Sequence, residues 1–131
     1  MDGRAVILVV DDDKDFRDVV TTKLRANNLT VIEAENGETA YAKAKELKPD
    51  LILMDVKMPK MDGVAALMKI KEDPEIKNIK IVLLTAFGDP RPEIYKIDQR
   101  FAKEVGAFEY ILKTEDLDAV VARVKSFVGG S

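Results

Sequence analysis

Five short apolar runs alternate along the chain with longer stretches in which apolar residues recur every three or four positions. The runs are rich in Val, Ile and Leu, and the first, third and fourth are almost continuously apolar, which is typical of strands buried on both faces of a parallel sheet. The pattern therefore predicts five strands, which are Val6–Val10, Thr30–Ala34, Leu51–Met54, Ile81–Leu84 and Glu109–Leu112.

The stretches between the predicted strands have the periodicity of amphipathic helices. The first helix is predicted from about Lys14 to Asn27, and Thr114 is the predicted N-cap of the last helix. Because helices alternate with strands, the chain is predicted to be an α/β protein with a parallel sheet between two helical layers. The predicted core-facing stripes are Phe16, Val19, Val20 and Leu24; Ala40, Ala44 and Leu47; Val64, Leu67 and Ile70; and Leu117, Val120, Val121, Val124 and Val128.

The chain of 131 residues is 47% hydrophobic and 34% charged, which predicts a single globular domain over residues 1–131. We expect the folded core to span about residues 5–128, with residues 129–131 as a tail or a cloning remnant. No apolar run approaches the roughly 20 residues of a membrane-spanning helix, and the N-terminus lacks the layout of a secretory signal. We therefore expect a cytoplasmic protein without a membrane partner.

The sequence contains neither cysteine nor histidine. This composition excludes disulfides, thiolate or imidazole catalysis, and zinc sites built on these residues. A bound metal would be held by oxygen atoms, as magnesium, calcium and manganese are. The formal net charge of −3 also argues against direct binding of nucleic acid, which normally requires a basic surface.

Polar residues follow the predicted strands at the positions where open parallel sheets bind their ligands. Asp11 and Asp12 follow the first strand, Asp55 the third, Thr85 the fourth and Lys113 the fifth. Carboxylates gathered at one edge repel each other unless a cation lies among them, and magnesium with carboxylate ligands meets that need. A carboxylate beside a hydroxyl and an ammonium group can be the nucleophile of a phosphoryl transfer.

Taken one at a time, several of these residues have a plainer role. Asp13 and Asp15 fit best as the cap and first-turn acid of the first helix. Thr85 alone could form a local hydrogen bond, and Lys113 alone could be a solvated lysine. Only their joint placement at four strand ends favours a phosphoryl-transfer site.

The sequence resembles the receiver domain of two-component response regulators, including the chemotaxis type, over about residues 5–128. The segments that carry the likeness are VILVVDDDKDFR, PDLILMDVKMPKMDG, IVLLTA and GAFEYILK. The resemblance implies a flavodoxin-like three-layer sandwich, with a five-stranded parallel sheet of order 2-1-3-4-5 and five helices. It also implies a phosphoprotein of a phosphorelay, which is not a classical enzyme and catalyses only its own phosphorylation and dephosphorylation.

The resemblance assigns a role to each strand-end residue. Asp55 would be the phosphoacceptor, Thr85 the switch hydroxyl, and Lys113 the ion-pair partner of the phosphoryl group. Asp11 would act on Mg²⁺ largely through a bound water. The implied Mg²⁺ ligands are Asp11, Asp12, Asp55 and the backbone carbonyl of Lys57.

The resemblance also implies partners. A histidine kinase or a phosphotransfer protein would donate the phosphoryl group, and a downstream protein would bind the face formed by the last helices and strand. The same face could support a homodimer. Tyr110 would be the aromatic switch that turns inward when Thr85 moves, although the periodicity alone favours an ordinary half-buried strand tyrosine.

Two features depart from the family pattern. The interval from Thr85 to Gly106 is several residues longer than usual, and the extra residues either reshape the partner-binding face or form a tolerated surface insertion. Thr114 stands where the family usually has a proline, often after a cis bond. Because a cis bond before a non-proline residue costs about 3 kcal/mol, the Lys113–Thr114 bond is expected to allow the trans form.

Two other functions compete with phosphorylation. The first is a phosphate-independent, receiver-like interaction module, which the long interval after Thr85 and the residue Thr114 would suit. The second is a haloacid-dehalogenase-like phosphatase, which Asp11-x-Asp13 imitates, although Asp15 stands where that family has Thr or Val. A calcium loop is excluded because Phe16 occupies its required glycine position.

Overall fold

A five-stranded parallel sheet forms the centre of the computed structural model, which describes residues 4–56, 63–85, 100, 103–104, 106–112 and 116–129. The strand order is β2-β1-β3-β4-β5, as the resemblance implied. Three strands have the predicted bounds, and the third and fourth extend slightly beyond them, to include Asp55 in one and Lys80 and Thr85 in the other. The strands are β1 (Val6–Val10), β2 (Thr30–Ala34), β3 (Leu51–Asp55), β4 (Lys80–Thr85) and β5 (Glu109–Leu112).

Four helices with defined bounds cover the sheet within the described part of the chain. Asp13 and Asn36 are the N-caps of the first two, and each side chain accepts a hydrogen bond from a backbone N–H of the first turn. The capping role predicted for Asp13 is therefore confirmed. The helices are α1 (Lys14–Ala26), α2 (Gly37–Leu47), α3 (Gly63–Glu72) and α4 (Leu117–Phe127).

Both faces of the sheet are buried, which accounts for the lack of polar alternation in the predicted strands. On one face, Leu8 and Ile52 belong to a cluster that includes residues of α2 and α3. On the other face, Ile7 and Leu53 belong to a cluster that includes residues of α1 and α4. The result is the predicted three-layer sandwich. The helices pack on the two faces of the sheet, so a site can form at the edge where the strands end.

The prediction that Val19 and Leu47 belong to the core is wrong. Val19 is 46% exposed, because α1 buries Val20, Thr21 and Leu24, and a residue next to that stripe is turned by about 100° toward solvent. Leu47 is 47% exposed, since it is the last residue of α2 and the chain then turns away at Lys48 in the left-handed conformation. Ala40 and Ala44 are buried as predicted, and the third buried residue of α2 is Gly37.

The N-cap predicted for the last helix is also wrong. α4 begins at Leu117, and its N-cap is Asp116, whose carboxylate accepts a hydrogen bond from the Asp118 N–H at 3.1 Å. Thr114 lies outside the described residues, as does most of the long segment after Thr85 in which a further helix was predicted. None of the described helices is long and apolar enough to cross a membrane.

A buried carboxylate links α2 to the connection after α3. Asp73, which is 8% exposed, accepts hydrogen bonds from the Tyr41 hydroxyl and the Lys45 ammonium, both at 2.6 Å, and from the Glu75 N–H at 3.0 Å. These hydrogen bonds favour the ionised form, the one from Lys45 most, and lower the pKa of Asp73 to about 2. Asp73 therefore links α2 to the connection after α3 through a charged carboxylate.

Candidate functional site

The acidic residues predicted from the strand ends lie together at one edge of the sheet. Since β1 pairs with β2 on one side and β3 on the other, this edge contains the point at which the strand order reverses. Val10 pairs with Met54, so the next residues along the two strands, Asp11 and Asp55, are neighbours across this point.

Three carboxylates converge there. One side-chain oxygen each from Asp11, Asp12 and Asp55 lies within 4.8 Å of the other two. Asp11 is 1% exposed and Asp55 is 6% exposed, whereas Asp12 is open to solvent. Negative charges this close raise the electrostatic free energy unless a cation lies near them, and the raised energy is greatest for the two buried groups.

Backbone hydrogen bonds hold the loop that presents the first two acids. The Asp11 N–H donates to the Ala34 carbonyl at 3.1 Å, which continues the pairing of β1 with β2 by one residue. The Asp11 carboxylate accepts from the Asp13 N–H at 2.9 Å. Asp13 in turn caps α1 by accepting from the Phe16 N–H at 3.2 Å. The acidic loop is thus fixed between an edge strand and a helix start.

The phosphoacceptor candidate is fixed by contacts at the end of β3. The Val56 N–H donates to the Leu84 carbonyl at 2.9 Å, and its carbonyl accepts from the Gly63 N–H at 2.8 Å. A Cβ at position 63 would lie 2.2 Å from the Asp55 carbonyl oxygen, a distance that no side chain can adopt. Gly63 therefore allows α3 to begin directly against the backbone of Asp55.

Thr85 and Tyr110 share one face of the sheet. Leu83 pairs with Tyr110 and Thr85 pairs with Leu112, and alternate residues of a strand point to the same face. Thr85 is 5% exposed and Tyr110 is 7% exposed, so Tyr110 is buried and not the half-buried residue that periodicity favoured. The two residues predicted to form the switch are therefore diagonal neighbours on adjacent strands.

Two of the residues predicted at this edge have no described placement. Lys57 and Lys113, which the resemblance assigned to the metal and to the phosphoryl group, lie outside the described residues. The described part of the predicted site consists of Asp11, Asp12, Asp55, Thr85 and Tyr110.

One neighbouring group was not predicted from the sequence. Arg17 of α1 extends its guanidinium group to the backbone carbonyl of Asp11 at 2.5 Å and to the carboxylate of Glu33 at 3.0 Å. The signal for it was a charged residue at the spacing of the buried stripe, four residues before Thr21 and seven before Leu24. A charge at such a position must find polar partners.

The three carboxylates fit a hard divalent cation. Magnesium is bound in proteins by one or two carboxylates together with water and backbone carbonyl oxygens. The cluster offers carboxylate oxygens from two adjacent strand ends, with one exposed acid on the solvent side. Its donor set contains oxygen alone, which suits magnesium and disfavours zinc or copper.

This combination of a doubly wound sheet, an acidic edge at its switch point and a buried strand-end hydroxyl is that of a receiver domain. The family model for the response regulator receiver domain matches residues 7–125. The chain therefore belongs to the response regulator receiver family, whose members are regulatory domains of two-component systems that accept a phosphoryl group on an aspartate. The acidic cluster of this chain fits that phosphorylation site.

Curated relatives and solved structures agree with this family. The chain is 32% identical over 122 residues to the DNA-binding dual master transcriptional regulator RpaA of Synechocystis sp., covering 93% of this chain and 48% of RpaA. It is 38% identical over 122 residues to the response regulator PleD of Caulobacter vibrioides, covering 93% of this chain and 26% of PleD. The chain thus spans half or less of the length of these relatives.

The fold is similar to that of a solved chemotaxis protein. CheY4 of Vibrio cholerae superposes with a TM-score of 0.83 at 26% sequence identity, and the match covers 95% of this chain and 99% of that chain. A response regulator from Chloroflexus aurantiacus superposes with a TM-score of 0.84 at 28% identity, covering 96% of this chain and 98% of that chain.

Proposed function

We propose that Asp55 is the residue of this chain that accepts the phosphoryl group. The observation that carries the proposal is its position: a buried carboxylate at the end of a central strand, with an oxygen within 4.8 Å of oxygens from Asp11 and Asp12. The donor is the phosphohistidine of a histidine kinase or of a phosphotransfer protein. We also propose that the domain acts as one folded unit in the cytoplasm.

The transfer needs an in-line nucleophile and neutralised charge more than it needs proton chemistry. An oxygen of Asp55 attacks the phosphorus, an O–P bond forms, and the P–N bond to the donor imidazole breaks with its electron pair left on nitrogen. When bound, Mg²⁺ would supply the positive charge that neutralises the phosphoryl group during the transfer. Its proposed ligands are Asp12, Asp55, the backbone carbonyl of Lys57 and, through a water, Asp11.

The remaining strand-end residues are proposed to bind the phosphoryl group. The Thr85 hydroxyl donates a hydrogen bond to a phosphoryl oxygen, and the Lys113 ammonium forms an ion pair with another. The same site later admits water, which hydrolyses the acyl phosphate and ends the signal. This self-limited reaction is the only chemistry proposed for the chain, which is otherwise regulatory.

The phosphoryl group is proposed to change the surface through Thr85 and Tyr110. Their common sheet face and adjacent strands support a coupled movement, in which Thr85 turns toward the phosphoryl group and Tyr110 occupies the space released. Such a movement shifts an equilibrium between two conformations and does not create a new fold. The face formed by the last helices and β5 then binds a downstream protein or a second copy of the chain.

Intact mass spectrometry tests the proposal. Wild-type protein incubated with acetyl phosphate and Mg²⁺ should gain the mass of one phosphoryl group, and it should gain none without Mg²⁺. Asp55→Asn should gain none, whereas Asp13→Asn should label normally, because asparagine also caps helices and Asp13 lies outside the carboxylate cluster. Folded wild-type protein that gains no mass would contradict the proposal and favour a phosphate-independent interaction module.

A further inference from the structure

Arg17 connects the acidic loop to the edge strand of the sheet. Its Nη1 donates to the backbone carbonyl of Asp11 at 2.5 Å, and its Nε donates to the Glu33 carboxylate at 3.0 Å. The side chain is 14% exposed, so most of it has left water. A guanidinium group holds several donors in one rigid plane, and here two of them bind one partner in the loop after β1 and one partner in β2.

Glu33 is itself held in place. It lies in β2, and its backbone carbonyl accepts a hydrogen bond from the ammonium group of Lys43 in α2. The backbone from which the Glu33 carboxylate extends is therefore held by β2 and also by a contact from α2. Arg17 and Lys43 contribute to the lining of a cleft of about 420 Å³ between α1, β2 and α2, beside the acidic edge.

The bond from Arg17 reaches the acids through the main chain. The carbonyl of Asp11 and the amide nitrogen of Asp12 belong to one planar peptide unit. Holding that carbonyl restricts the orientation of the plane that joins the two residues, and with it the position of the Asp12 Cα from which the side chain leaves the backbone. The Asp11 N–H is bound to Ala34 on the other side, so the peptide units on both sides of Asp11 are fixed.

We propose that Arg17 is a positioning residue for the metal-binding pair Asp11 and Asp12. This inference rests on the proposed function of the cluster as a Mg²⁺ site. Magnesium tolerates little deviation from octahedral geometry, so its affinity depends on how well its ligands are held before it binds. Groups that hold metal ligands from outside the coordination shell typically change metal affinity by about 10- to 100-fold when they are removed.

The chain offers a matched control on the same helix and strand. Arg25 in the last turn of α1 donates from Nη2 to the Val31 carbonyl of β2 at 3.2 Å. Like Arg17, it links α1 to β2, but it lies at the opposite end of the helix from the acidic loop. Arg17→Met and Arg25→Met both remove a guanidinium link between these elements, and only the first touches the backbone of Asp11.

The test is the Mg²⁺ affinity of the full chain, measured by calorimetry or by a titration followed by NMR, at a temperature where every variant is folded. Arg17→Met should weaken Mg²⁺ binding about tenfold, whereas Arg25→Met should leave it unchanged. Arg17→Lys should restore part of the affinity, since an ammonium group can reach one of the two partners. In metal-free protein, the Asp12 and Asp13 amides should exchange faster with solvent in Arg17→Met alone.

Three outcomes decide between the claims. If wild-type protein does not bind Mg²⁺, the proposed metal site fails, and the positioning role fails with it. If wild-type protein and Arg17→Met bind equally well, the metal site stands and the positioning role is overturned. Equal losses in Arg17→Met and Arg25→Met would also overturn it, because they would show a general loosening of α1. If Arg17→Met does not fold, the Mg²⁺ affinities of Arg17→Lys and Arg25→Met are compared. A loss of affinity in Arg17→Lys alone then supports the positioning role, and equal affinities overturn it.

Discussion

The N–H of Gly63 donates a 2.8 Å hydrogen bond to the carbonyl of Val56, so that the start of α3 lies against the end of β3. This contact requires glycine, because a Cβ at position 63 would meet the Asp55 carbonyl oxygen at 2.2 Å and the Val56 Cα at 2.9 Å. Both obstructing atoms belong to the backbone, and neither can move without displacing Asp55 or Val56.

Gly63→Ala should therefore damage stability and site together. We expect a loss of roughly 1–3 kcal/mol in the free energy of unfolding, as overpacked sites show, and slower labelling by acetyl phosphate. Gly129→Ala is the control, since its positive φ of 90° also strains an alanine, but the added Cβ would meet no other atom of the described residues within 4 Å, and it lies in the turn after α4. Urea unfolding with a labelling time course measures both effects. Normal labelling of Gly63→Ala would contradict this prediction.

Acid should weaken the tie between α2 and the connection after α3. The pKa of Asp73 is lowered to about 2, from an ordinary value of 3.8, chiefly by its hydrogen bonds from Lys45 and Tyr41. A depressed pKa contributes stability that is fully present above the ordinary value and is lost as the pH falls through the folded value. Wild type should therefore lose this contribution between about pH 4 and pH 2.

Asp73→Asn isolates that contribution from the other acids of the chain. Wild type should be more stable than this variant at neutral pH, and the difference should shrink as the pH falls from 4 to 2. Tyr41→Phe removes one donor and should move the loss to higher pH. Urea midpoints measured across this range test the claim, which a pH-independent difference between wild type and Asp73→Asn would refute.

Thr21 is a stabilisation target. Its hydroxyl is buried in α1, where the side chain is 3% exposed, and the described residues offer it no hydrogen-bond partner. Thr21→Val keeps the shape and removes the unsatisfied group, so it should raise the free energy of unfolding by about 1 kcal/mol. Thr22→Val is the control, because that hydroxyl is exposed and donates to the Asp18 carbonyl at 2.8 Å. Equal effects of the two substitutions on urea unfolding would argue against a special cost of the Thr21 hydroxyl.

Substitution of Thr85 should separate phosphorylation from the conformational change at Tyr110. Thr85→Ala should still bind Mg²⁺ and accept a phosphoryl group, more slowly, but the NMR signals of the Tyr110 ring should no longer change on phosphorylation. Thr85→Ser retains the hydroxyl and should retain the change. An unaltered Tyr110 response in Thr85→Ala would show that the two residues are not coupled.

Most of the fold could be predicted from the sequence because its strands are buried on both faces. A continuous apolar run such as Leu51–Met54 is typical of a central strand in a chain that alternates strands with helices. Helix faces were predicted less well. In α1, the polar Thr21 occupies a core position while Val19 faces solvent. These positions were predicted wrongly because periodicity depends on residue type alone and does not determine the rotation of the helix.

The acids of the site could be predicted, but the groups that hold them could not. Asp11, Asp12 and Asp55 follow from the rule that parallel strands end at one edge. Arg17 donates to the carboxylate of Glu33, which lies 16 positions away, and to the main-chain carbonyl of Asp11, which has no sequence signature. The same is true of Asp73, whose partner Tyr41 lies 32 positions away.

The most direct test of the proposed function is the position of the phosphoryl group in wild-type protein. Protein labelled with acetyl phosphate and Mg²⁺ can be reduced with borohydride, which converts a phosphorylated aspartate to homoserine, and then digested and sequenced by mass spectrometry. Homoserine is expected at the position of Asp55 and at no other acid. Homoserine at the position of Asp11 or Asp12, with Asp55 unmodified, would contradict the assignment of Asp55 as the phosphoacceptor.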